Sequence, residues 1–484
     1  MKQNFDEEYS RLSQAIAEEG MEFVDFKVID LFGRWRHLTV PARNFTKDFL
    51  QRGVGFDGSS YGYKMVEDSD MLFVPQLSTA RREPAGEGET FSIIGDIFQL
   101  TEDREIVPYP EDPRRTAKRA VEFMKNEEIA DTFFVSPEFE FYVFSEARFH
   151  YGREEGGFKI GSPEILRKRA PRKEEGTPKG NHVLIGHQGY HGPRPGDSVM
   201  DIRNKVTSFL EREGVEVKYH HHEIGGAGRS EIEVDPVDLI TAADNTMYIK
   251  HLIKLIADRN ERTATFMPKP IANFPGSGMH LHQYLVKDGV NLFSGKEYAG
   301  LSNTALHFIG GLLEHGESLM ALTNPSTNSY RRMVPGHEAP TDLIFAKSNR
   351  SAAIRIPGYI QSTSRVRIEL RTMDGTCNPY LGYAAILMAG LDGIRNQIDP
   401  RKPGYGPIDE NVYDLAKEEK ADIRSVPTSL EGALNALEND HQYLLEGGVF
   451  TKDLLAGWIN LKRGELQEFY DKPHPYEHVV YYDV

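Results

Sequence analysis

The sequence of 484 residues has little of what defines several large classes of protein. Its one cysteine, Cys377, rules out an intrachain disulfide framework. No apolar run approaches the ~20 residues of a membrane-spanning helix, and the N-terminus lacks the apolar segment of a signal peptide. Acidic residues outnumber basic ones, and the formal net charge is −16. Binding to the phosphate backbone of a nucleic acid requires a basic surface. We therefore expect a cytoplasmic protein that binds neither nucleic acid nor membranes.

The residues that are present suffice for a folded core, since 39% of them are hydrophobic. Alternating apolar patterns predict strands at 23–29 and 91–97. Amphipathic patterns predict helices at 198–213, 237–259 and 303–322. This mixture of strands and helices indicates an α+β fold.

The sequence also predicts a division into two domains. A Pro-rich hinge just before residue 113 predicts a boundary between an N-terminal domain, 1–110, and a larger domain, 111–484. Within the larger domain, the segment 146–189 is rich in glycine, proline and charge. We interpret this segment as an exposed excursion from the core.

Two glutamates stand out in the strongly apolar segment 133–144. Alternation in a strand directs Glu138 and Glu140 to one face and Phe139 and Phe141 to the other. Two carboxylates about 4 Å apart repel by roughly 4 kcal/mol at an effective dielectric near 20. Protonation, a basic partner or a cation must offset that repulsion, unless the pair lies on an ordinary polar sheet edge.

Three further clusters of acids and imidazoles occur in strand-like segments. They are His222-Glu223 followed by Glu231, then His280 with His282, and finally Arg367, Glu369 and Arg371. Carboxylates with some imidazole and no thiolate are typical of Mg²⁺ or Mn²⁺ sites rather than structural zinc. Each cluster alone could be a salt bridge or a loop cap, but four together favour a metal site.

Arginines form a series downstream, at Arg332, Arg350 and Arg355. Guanidinium groups bind carboxylate and phosphate oxygens in a bidentate manner, so arginines beside metal ligands suit the transfer of a phosphoryl group. No Walker-type loop is present. A metal-dependent hydrolase is a weaker alternative, because hydrolysis does not explain so many arginines.

Ordered motifs along most of the chain resemble the type I glutamine synthetase family. The segments that carry this resemblance are 56–60, 137–140, 221–223, 267–270, 276–280, 324–340, 349–357, 367–371 and 474–477. It implies a small N-terminal β-grasp domain and a large catalytic domain with a curved, open-barrel antiparallel sheet. It also implies stacked rings, usually dodecameric, with active sites between subunits. The implied reaction joins L-glutamate and ammonium, using ATP, through a γ-glutamyl phosphate intermediate.

The resemblance also implies roles for individual residues. Two divalent ions would be held, one by Glu140, Glu223 and Glu231, the other by Glu138, His280 and Glu369. Substrate would be bound by Gly276, Arg332, Arg371 and Tyr190, with Arg332 on the glutamate α-carboxylate and Tyr190 beside the ammonium. The nucleotide would be contacted by His282, Arg350, Arg355 and Arg367. Asp57 of an adjacent chain would take a proton from ammonium, and Glu338 would lie on a flap that shields the acyl phosphate.

The chain departs from the usual family pattern at Arg229, Pro275 and Tyr284, where Gln, Asn and Ser are frequent. Tyr413 resembles a tyrosine that is adenylylated in some members, or is an ordinary surface residue. These departures leave two alternatives open. The first is a γ-glutamyl-amine ligase that accepts an organic amine, and the second is a non-catalytic ring-forming protein of the same fold.

Overall fold

The structure is a computed structural model that describes residues 2–64, 66–85, 88–101, 103, 105–165, 182–184, 186–334, 339–360, 362–401, 405–410, 412, 415 and 423–483. The helices in these residues are α1 (Lys2–Glu18), α2 (Lys47–Arg52), α3 (Pro113–Asn126), α4 (Met200–Arg212), α5 (Leu239–Arg259), α6 (Asn303–Glu314), α7 (Gly316–Thr323), α8 (Ser329–Arg332), α9 (Pro379–Arg395), α10 (Leu430–Asn439), α11 (Gln442–Leu445), α12 (Lys452–Tyr470) and α13 (Pro475–Tyr481). The strands are β1 (Phe23–Ile29), β2 (Trp35–Pro41), β3 (Val54–Asp57), β4 (Asp70–Pro75), β5 (Arg81–Ala85), β6 (Gly88–Leu100), β7 (Ile106–Pro108), β8 (Thr132–Phe144), β9 (Glu146–Tyr151), β10 (Gly156–Gly161), β11 (Val217–His222), β12 (Arg229–Val234), β13 (Val237–Asp238), β14 (Thr263–Thr265), β15 (Met279–Lys287), β16 (Val290–Asn291), β17 (Asp342–Lys347), β18 (Ala352–Ile356) and β19 (Ile368–Leu370). None of these helices is long and apolar enough to cross a membrane.

The N-terminal region is a β-grasp sheet, ordered β2-β1-β6-β4-β3, in which β1 and β6 run parallel. Strands β5 and β7 both add to the long strand β6. Strand β1 is buried on both faces beyond its first residue. Val24, Phe26 and Val28 join the main hydrophobic core, whereas Asp25 and Lys27 point to the opposite face. That second face is therefore polar although it is buried.

The large sheet follows the order β11-β12-β8-β15-β19-β18-β17, with β13 and β14 added to β8 and β16 added to β15. It is curled and open, because β11 and β17 each have one neighbour along this order. Its pairs are antiparallel except β17 with β18, which run parallel. The predicted open, curved sheet is thus confirmed, with one parallel pair at its edge.

Strand β8 lies at the centre of this sheet and packs against helix α5. Phe139 and Phe141 are fully buried in the main core, as their alternation with the glutamates predicts. Burying each ring contributes roughly 2–3 kcal/mol, which fixes the register of the strand. The face that bears Glu138 and Glu140 is consequently held toward the cavity described below.

Two segments differ from the predictions. The predicted helix 303–322 is divided at His315 into α6 and α7, and the His315 imidazole contacts Asp392 on α9 and Asp440 just past α10. The segment 146–189 begins with the exposed hairpin β9–β10, but Glu164 beyond it is only 2% exposed. Glu164 accepts from the buried His222 ring, with 3.0 Å between Oε2 and Nε2, so this part of the predicted excursion belongs to the core.

Candidate active site

The register of three strands brings the acidic residues together. Glu140 on β8 lies opposite Glu231 on β12. Glu138 lies opposite Glu233 on β12 and opposite His280 on β15. Opposed side chains in a sheet have Cβ atoms about 5 Å apart and share one face. Five ionisable groups from three strands therefore face the same space.

The first cluster is formed by Glu138, His280 and Glu369, whose potential ligand atoms all lie within 4.8 Å of one another. Glu138 contacts His280 Nδ1 at 3.0 Å and His282 Nε2 at 2.7 Å. Burial by itself raises the pKa of Glu138, but the two imidazoles hold it well below its ordinary value. Carboxylate and imidazole donors in this arrangement fit a divalent cation.

The second cluster is formed by His221, Glu223 and Glu231. His221 Nε2 lies 3.2 Å from Glu231 Oε1 and His221 Nδ1 lies 3.6 Å from Glu223 Oε2. Burial raises the pKa of Glu231 well above its ordinary value, and the carboxylates of Glu138 and Glu223 raise it further. Ionisation of Glu231 is thus disfavoured for lack of compensating positive charge, and a cation bound here would supply that charge.

Glu140 has a different partner. The guanidinium of the buried Arg229 lies 2.8 Å from Glu140 Oε2 and 3.6 Å from Glu223 Oε1. Burial raises the pKa of Glu140, but Arg229 outweighs it and lowers that pKa to about 2. Glu140 is therefore compensated by a basic partner, one of the three solutions expected from the sequence.

Glu369 has basic partners as well as its place in the first cluster. Its two carboxylate oxygens contact Arg355 and Arg371 at 2.5 Å each. Burial opposes ionisation, yet Arg371 lowers the pKa of Glu369 to about 2. The carboxylate thus stays ionised between two guanidinium groups and the imidazole of His280, 3.9 Å away.

Arg332 is buried without a carboxylate within 4.0 Å among the described residues. Its guanidinium donates to the backbone carbonyls of Thr372, at 2.8 Å, and Arg371, at 2.9 Å. Burial lowers the pKa of Arg332. Backbone carbonyls orient this cation but do not neutralise it, so it remains available to a carboxylate ligand.

Glycines allow Arg332 to reach its position. A Cβ atom at Gly278 would lie 2.5 Å from Arg332 Nη2 and 2.7 Å from His280 Nε2. A Cβ at Gly276 would lie 2.7 Å from Arg332 Cγ. All three distances are far below van der Waals contact, so the close approach of Arg332 and His280 requires glycine at both positions.

These groups line one cavity of about 550 Å³. The predicted site residues in its wall are Glu138, Glu140, Tyr190, Glu223, Glu231, Gly276, His280, Arg332, Arg350, Arg355, Glu369 and Arg371. The carboxylates come from β8, β12, β19 and the residue after β11, and the arginines come from α8, β12, β18 and the residues that flank β18 and β19. The cavity has the size of ordinary small-molecule sites.

Other predicted site residues lie elsewhere. His282 is 1% exposed and lies behind Glu138, outside the cavity wall. Arg367 is also outside the wall and contacts the exposed Tyr359 ring, 5.9 Å from its centroid. Asp57 is exposed at the end of β3 and bonds to Ser59 and Ser60. Glu338 and Tyr413 lie outside the described residues.

Two residues in the clusters were missed as candidate ligands. His221 faces Glu231 directly across the β11–β12 pair. It could have been predicted as a ligand, because residues two apart in an extended segment share a face and Glu223 was already a candidate. Glu233 lies with Glu138 and His282 in a third group of potential ligands. Its Oε1 contacts Lys218 at 2.5 Å, and its Oε2 has no hydrogen-bond partner among the described residues. Glu233 could have been predicted as well, because side chains two residues apart in a strand share a face and Glu231 was already a candidate ligand.

The family departures also have defined positions. Arg229 lies among the acids, as described above. Pro275 packs on Gly225, and its carbonyl accepts from the Tyr142 hydroxyl at 2.6 Å. Tyr284 stacks on Phe134 with ring centroids 5.2 Å apart. Neither Pro275 nor Tyr284 lines the cavity.

The cavity in this fold brings potential divalent-cation ligands and arginines together, as in enzymes that transfer phosphoryl groups. Comparisons with known proteins identify the group. Residues 110–481 match the family described as glutamine synthetase, catalytic domain, and residues 20–100 match glutamine synthetase, beta-Grasp domain. The chain belongs to the glutamine synthetase family.

Individual relatives agree with this assignment. Glutamine synthetase of Aquifex aeolicus is 42% identical, over 97% of each chain. That of Nostoc sp. is 43% identical, over 97% of this chain and 98% of the relative. Among solved structures, Plasmodium falciparum glutamine synthetase has a TM-score of 0.86 at 26% identity, over 98% of each chain. GmaS without ligand has a TM-score of 0.78 at 28% identity, over 98% of this chain and 99% of that one.

Proposed function

We propose that this chain is an ATP-dependent ligase that forms L-glutamine from L-glutamate and ammonium. The observation that carries the proposal is that one cavity is lined by both potential cation ligands and arginines. The names of the relatives supply the same activity. The cytoplasmic location expected from the sequence stays a prediction.

The proposed reaction has two steps. An oxygen of the glutamate γ-carboxylate attacks the terminal phosphorus of ATP, so that ADP leaves and γ-glutamyl phosphate forms. Ammonia then attacks the acyl carbon, the C–O bond to phosphate breaks, and glutamine and phosphate are released. One proton is lost from ammonium before this attack.

Divalent cations, Mg²⁺ or Mn²⁺, would neutralise phosphate oxygens and polarise the transferred group when bound by the predicted ligands. The six predicted ligands are Glu138, Glu140, Glu223, Glu231, His280 and Glu369. The donor chemistry fits, and the raised pKa of Glu231 supports a cation at the second cluster. His221 lies within reach of that cation as well.

Arginines would position the substrates. Arg332 is held by backbone carbonyls with its charge uncompensated, which supports binding of the glutamate α-carboxylate. Arg371 and Arg355 are fixed by Glu369 at the end of the cavity where phosphate would lie. Held groups of this kind need no reorganisation when charge develops, which is the main source of electrostatic catalysis.

The ammonium subsite would be completed by a second copy of the chain. Tyr190 and Glu223 line the cavity, but Asp57 of the same chain does not. Hydrogen bonds from Ser60 and Ser59 lower the pKa of Asp57, so it stays ionised and attracts ammonium. We propose assembly in rings, with Asp57 supplied by the neighbouring subunit.

A substrate panel tests the proposed function. Purified protein is given ATP, L-glutamate and Mg²⁺ or Mn²⁺, together with ammonium, ethylamine or putrescine, while ADP release and the amide product are measured. We expect glutamine and the highest kcat/KM with ammonium. Preference for an organic amine would instead identify a γ-glutamyl-amine ligase. A folded, metal-loaded protein that does not turn over ATP would identify a non-catalytic member.

A further inference from the structure

A second cavity, of about 290 Å³, lies between the polar face of the β-grasp sheet and the N-terminal half of helix α5. We call it the α5 cavity. Its sheet side includes Trp35 on β2, Arg81 on β5 and Ser92 on β6, and its helix side includes Asp244 and Tyr248. None of these residues lines the candidate active site. The α5 cavity is therefore separate from the cavity that carries the proposed reaction.

Strand register places Arg81 and Ser92 side by side. The two residues are directly opposed in the antiparallel β5–β6 pair, so their side chains share one face of the sheet. Ser92 is also paired with Asp25 across the parallel β1–β6 ladder, which puts it on the polar face of β1. Both residues line the α5 cavity. The sheet therefore places a cationic residue, Arg81, and a hydroxyl-bearing residue, Ser92, in one wall of the α5 cavity.

The charge of Arg81 is not neutralised within the described chain. Its guanidinium donates to the backbone carbonyl of Glu213 and to the side-chain oxygen of Asn245, at 3.1 Å, and both acceptors are uncharged. No carboxylate of the described residues lies within 4.0 Å of it. Neutral acceptors orient a guanidinium while leaving its charge available to an anion.

Asp238 also lines the cavity, and its exposed carboxylate accepts from the backbone N–H groups of Ile240 and Thr241. The positive charges beside the cavity other than Arg81 are already paired with carboxylates. Arg114 binds both oxygens of Asp244, at 3.0 and 2.8 Å, and also contacts Asp96. Lys27, beneath the Trp35 ring, contacts Glu83 at 2.5 Å. The positive charge left without a carboxylate partner in this wall is therefore that of Arg81.

Two polar groups of the same wall also lack partners. Ser92 is 3% exposed, and its hydroxyl makes no hydrogen bond in the described part of the chain. The indole N–H of Trp35 is likewise buried and unpaired there. An indole N–H is only a donor, and a hydroxyl can donate. Leaving such groups unsatisfied costs about 1–3 kcal/mol each, so an acceptor in the cavity would be stabilising.

A guanidinium, an indole N–H and a hydroxyl can each donate to a carboxylate oxygen. We propose that the α5 cavity binds the carboxylate group of a small organic acid or amino acid. The volume admits a molecule of that size and excludes a nucleotide. Such a ligand would link the β-grasp sheet to α5, the helix that packs against β8 and hence behind Glu138 and Glu140. The site is thus placed to stabilise the contact between the two regions of the chain.

The test is a binding experiment on the full-length chain, with succinate, L-alanine and inorganic phosphate as probes. Thermal unfolding and calorimetric titration are carried out on the wild type and on four variants. Arg81→Met removes the charge, and Ser92→Ala removes the unpaired hydroxyl with little effect on folding. Arg82→Met is the matched control, because Arg82 contacts Glu19 and Glu213 rather than the cavity. Arg332→Met disables the proposed substrate site.

We expect succinate or L-alanine to raise the melting temperature in a saturable manner for the wild type, Arg82→Met and Arg332→Met. Arg81→Met should weaken this binding at least about tenfold, and Ser92→Ala by a smaller factor. Binding that survives in Arg81→Met or disappears in Arg332→Met would overturn the proposal. Binding of phosphate but of neither carboxylate would overturn it too, as would binding of no probe. None of these results depends on ligase activity.

Discussion

Arg229 places a fixed positive charge among the carboxylates of the predicted metal sites. It compensates Glu140 and reaches toward Glu223, whereas His221 contacts Glu231. An internal guanidinium and a divalent cation compete for the same anions and repel each other. We therefore predict that Arg229 stabilises the metal-free protein at the expense of cation affinity.

The variant Arg229→Gln tests that competition. Removing a like charge near a bound cation should raise divalent-metal affinity by about tenfold, or roughly 1.4 kcal/mol. It should also lower the stability of the metal-free protein by about 3 kcal/mol, because Glu140 loses its buried partner. Calorimetric titration with Mn²⁺ and unfolding in EDTA measure the two effects. Arg114→Gln is the control: it breaks a buried ion pair outside the candidate active site and should lose stability with no gain in metal affinity. An unchanged affinity in Arg229→Gln would contradict the competition.

Several residue roles could be predicted from local pattern alone. Alternation in one strand was enough to direct Glu138 and Glu140 together, and the structure places both in the cavity wall. The partner of each glutamate could not be predicted in this way. Whether Arg229 or a cation compensates Glu140 depends on which strands pair and in which register, and that is set by tertiary packing.

At the scale of elements, the histidine between α6 and α7 connects three helices. His315 contacts Asp392 on α9 and Asp440 at the end of α10, at 3.0 Å each, and stacks on Tyr443. Burial lowers the pKa of His315, but the two carboxylates outweigh it and raise the pKa to about 9. The imidazolium is thus the stable form in the folded protein.

The pH dependence of stability follows from that shift. A pKa raised from 6.5 to about 9 on folding stabilises the folded state fully below pH 6.5, and this contribution is lost as the pH rises through 9. Since Asp440 is partly exposed, we expect His315→Gln to cost about 2 kcal/mol at pH 6.5 and markedly less at pH 9.5. Urea unfolding at the two pH values measures this. His441→Gln is the control, because it removes contacts to backbone carbonyls only. An equal loss of stability for His315→Gln at both pH values would refute the role of the His315 imidazolium.

The same histidine shows why one element was mispredicted. The segment 303–322 has continuous amphipathic character, so its local pattern favours one helix. His315, at the break, contacts carboxylates 77 and 125 residues away in the chain, and local pattern does not include such contacts. Elements whose ends depend on local caps were predicted closely, such as α5, which begins after the capping side chain of Asp238.

At the scale of the whole molecule, the proposed shared site makes a prediction about mixtures. Glu138→Gln disables the metal cluster, and Asp57→Asn disables the contribution proposed for the neighbouring chain. Each variant alone should be nearly inactive. Coexpressed at equal levels, they should recover activity at about one quarter of the sites, because a working site needs an intact half from each neighbour.

Activity measured on the purified mixed assemblies gives the result. A mixture of Glu138→Gln with Glu369→Gln is the control and should not recover, since both changes lie in the same half of the site. Failure of the first mixture to exceed its parents would contradict a site shared between copies. The resemblance to a known family was the only basis in the sequence for this expectation, because no pattern within one chain specifies its neighbours.

The most direct test of the account is anomalous diffraction from crystals grown with Mn²⁺ and ADP. Two strong peaks are predicted in each site, one contacting Glu138, His280 and Glu369, the other contacting Glu223 and Glu231. Ordered nucleotide with no peak at either cluster, or peaks confined to other parts of the chain, would contradict the claim that these side chains hold the cations of a phosphoryl-transfer site.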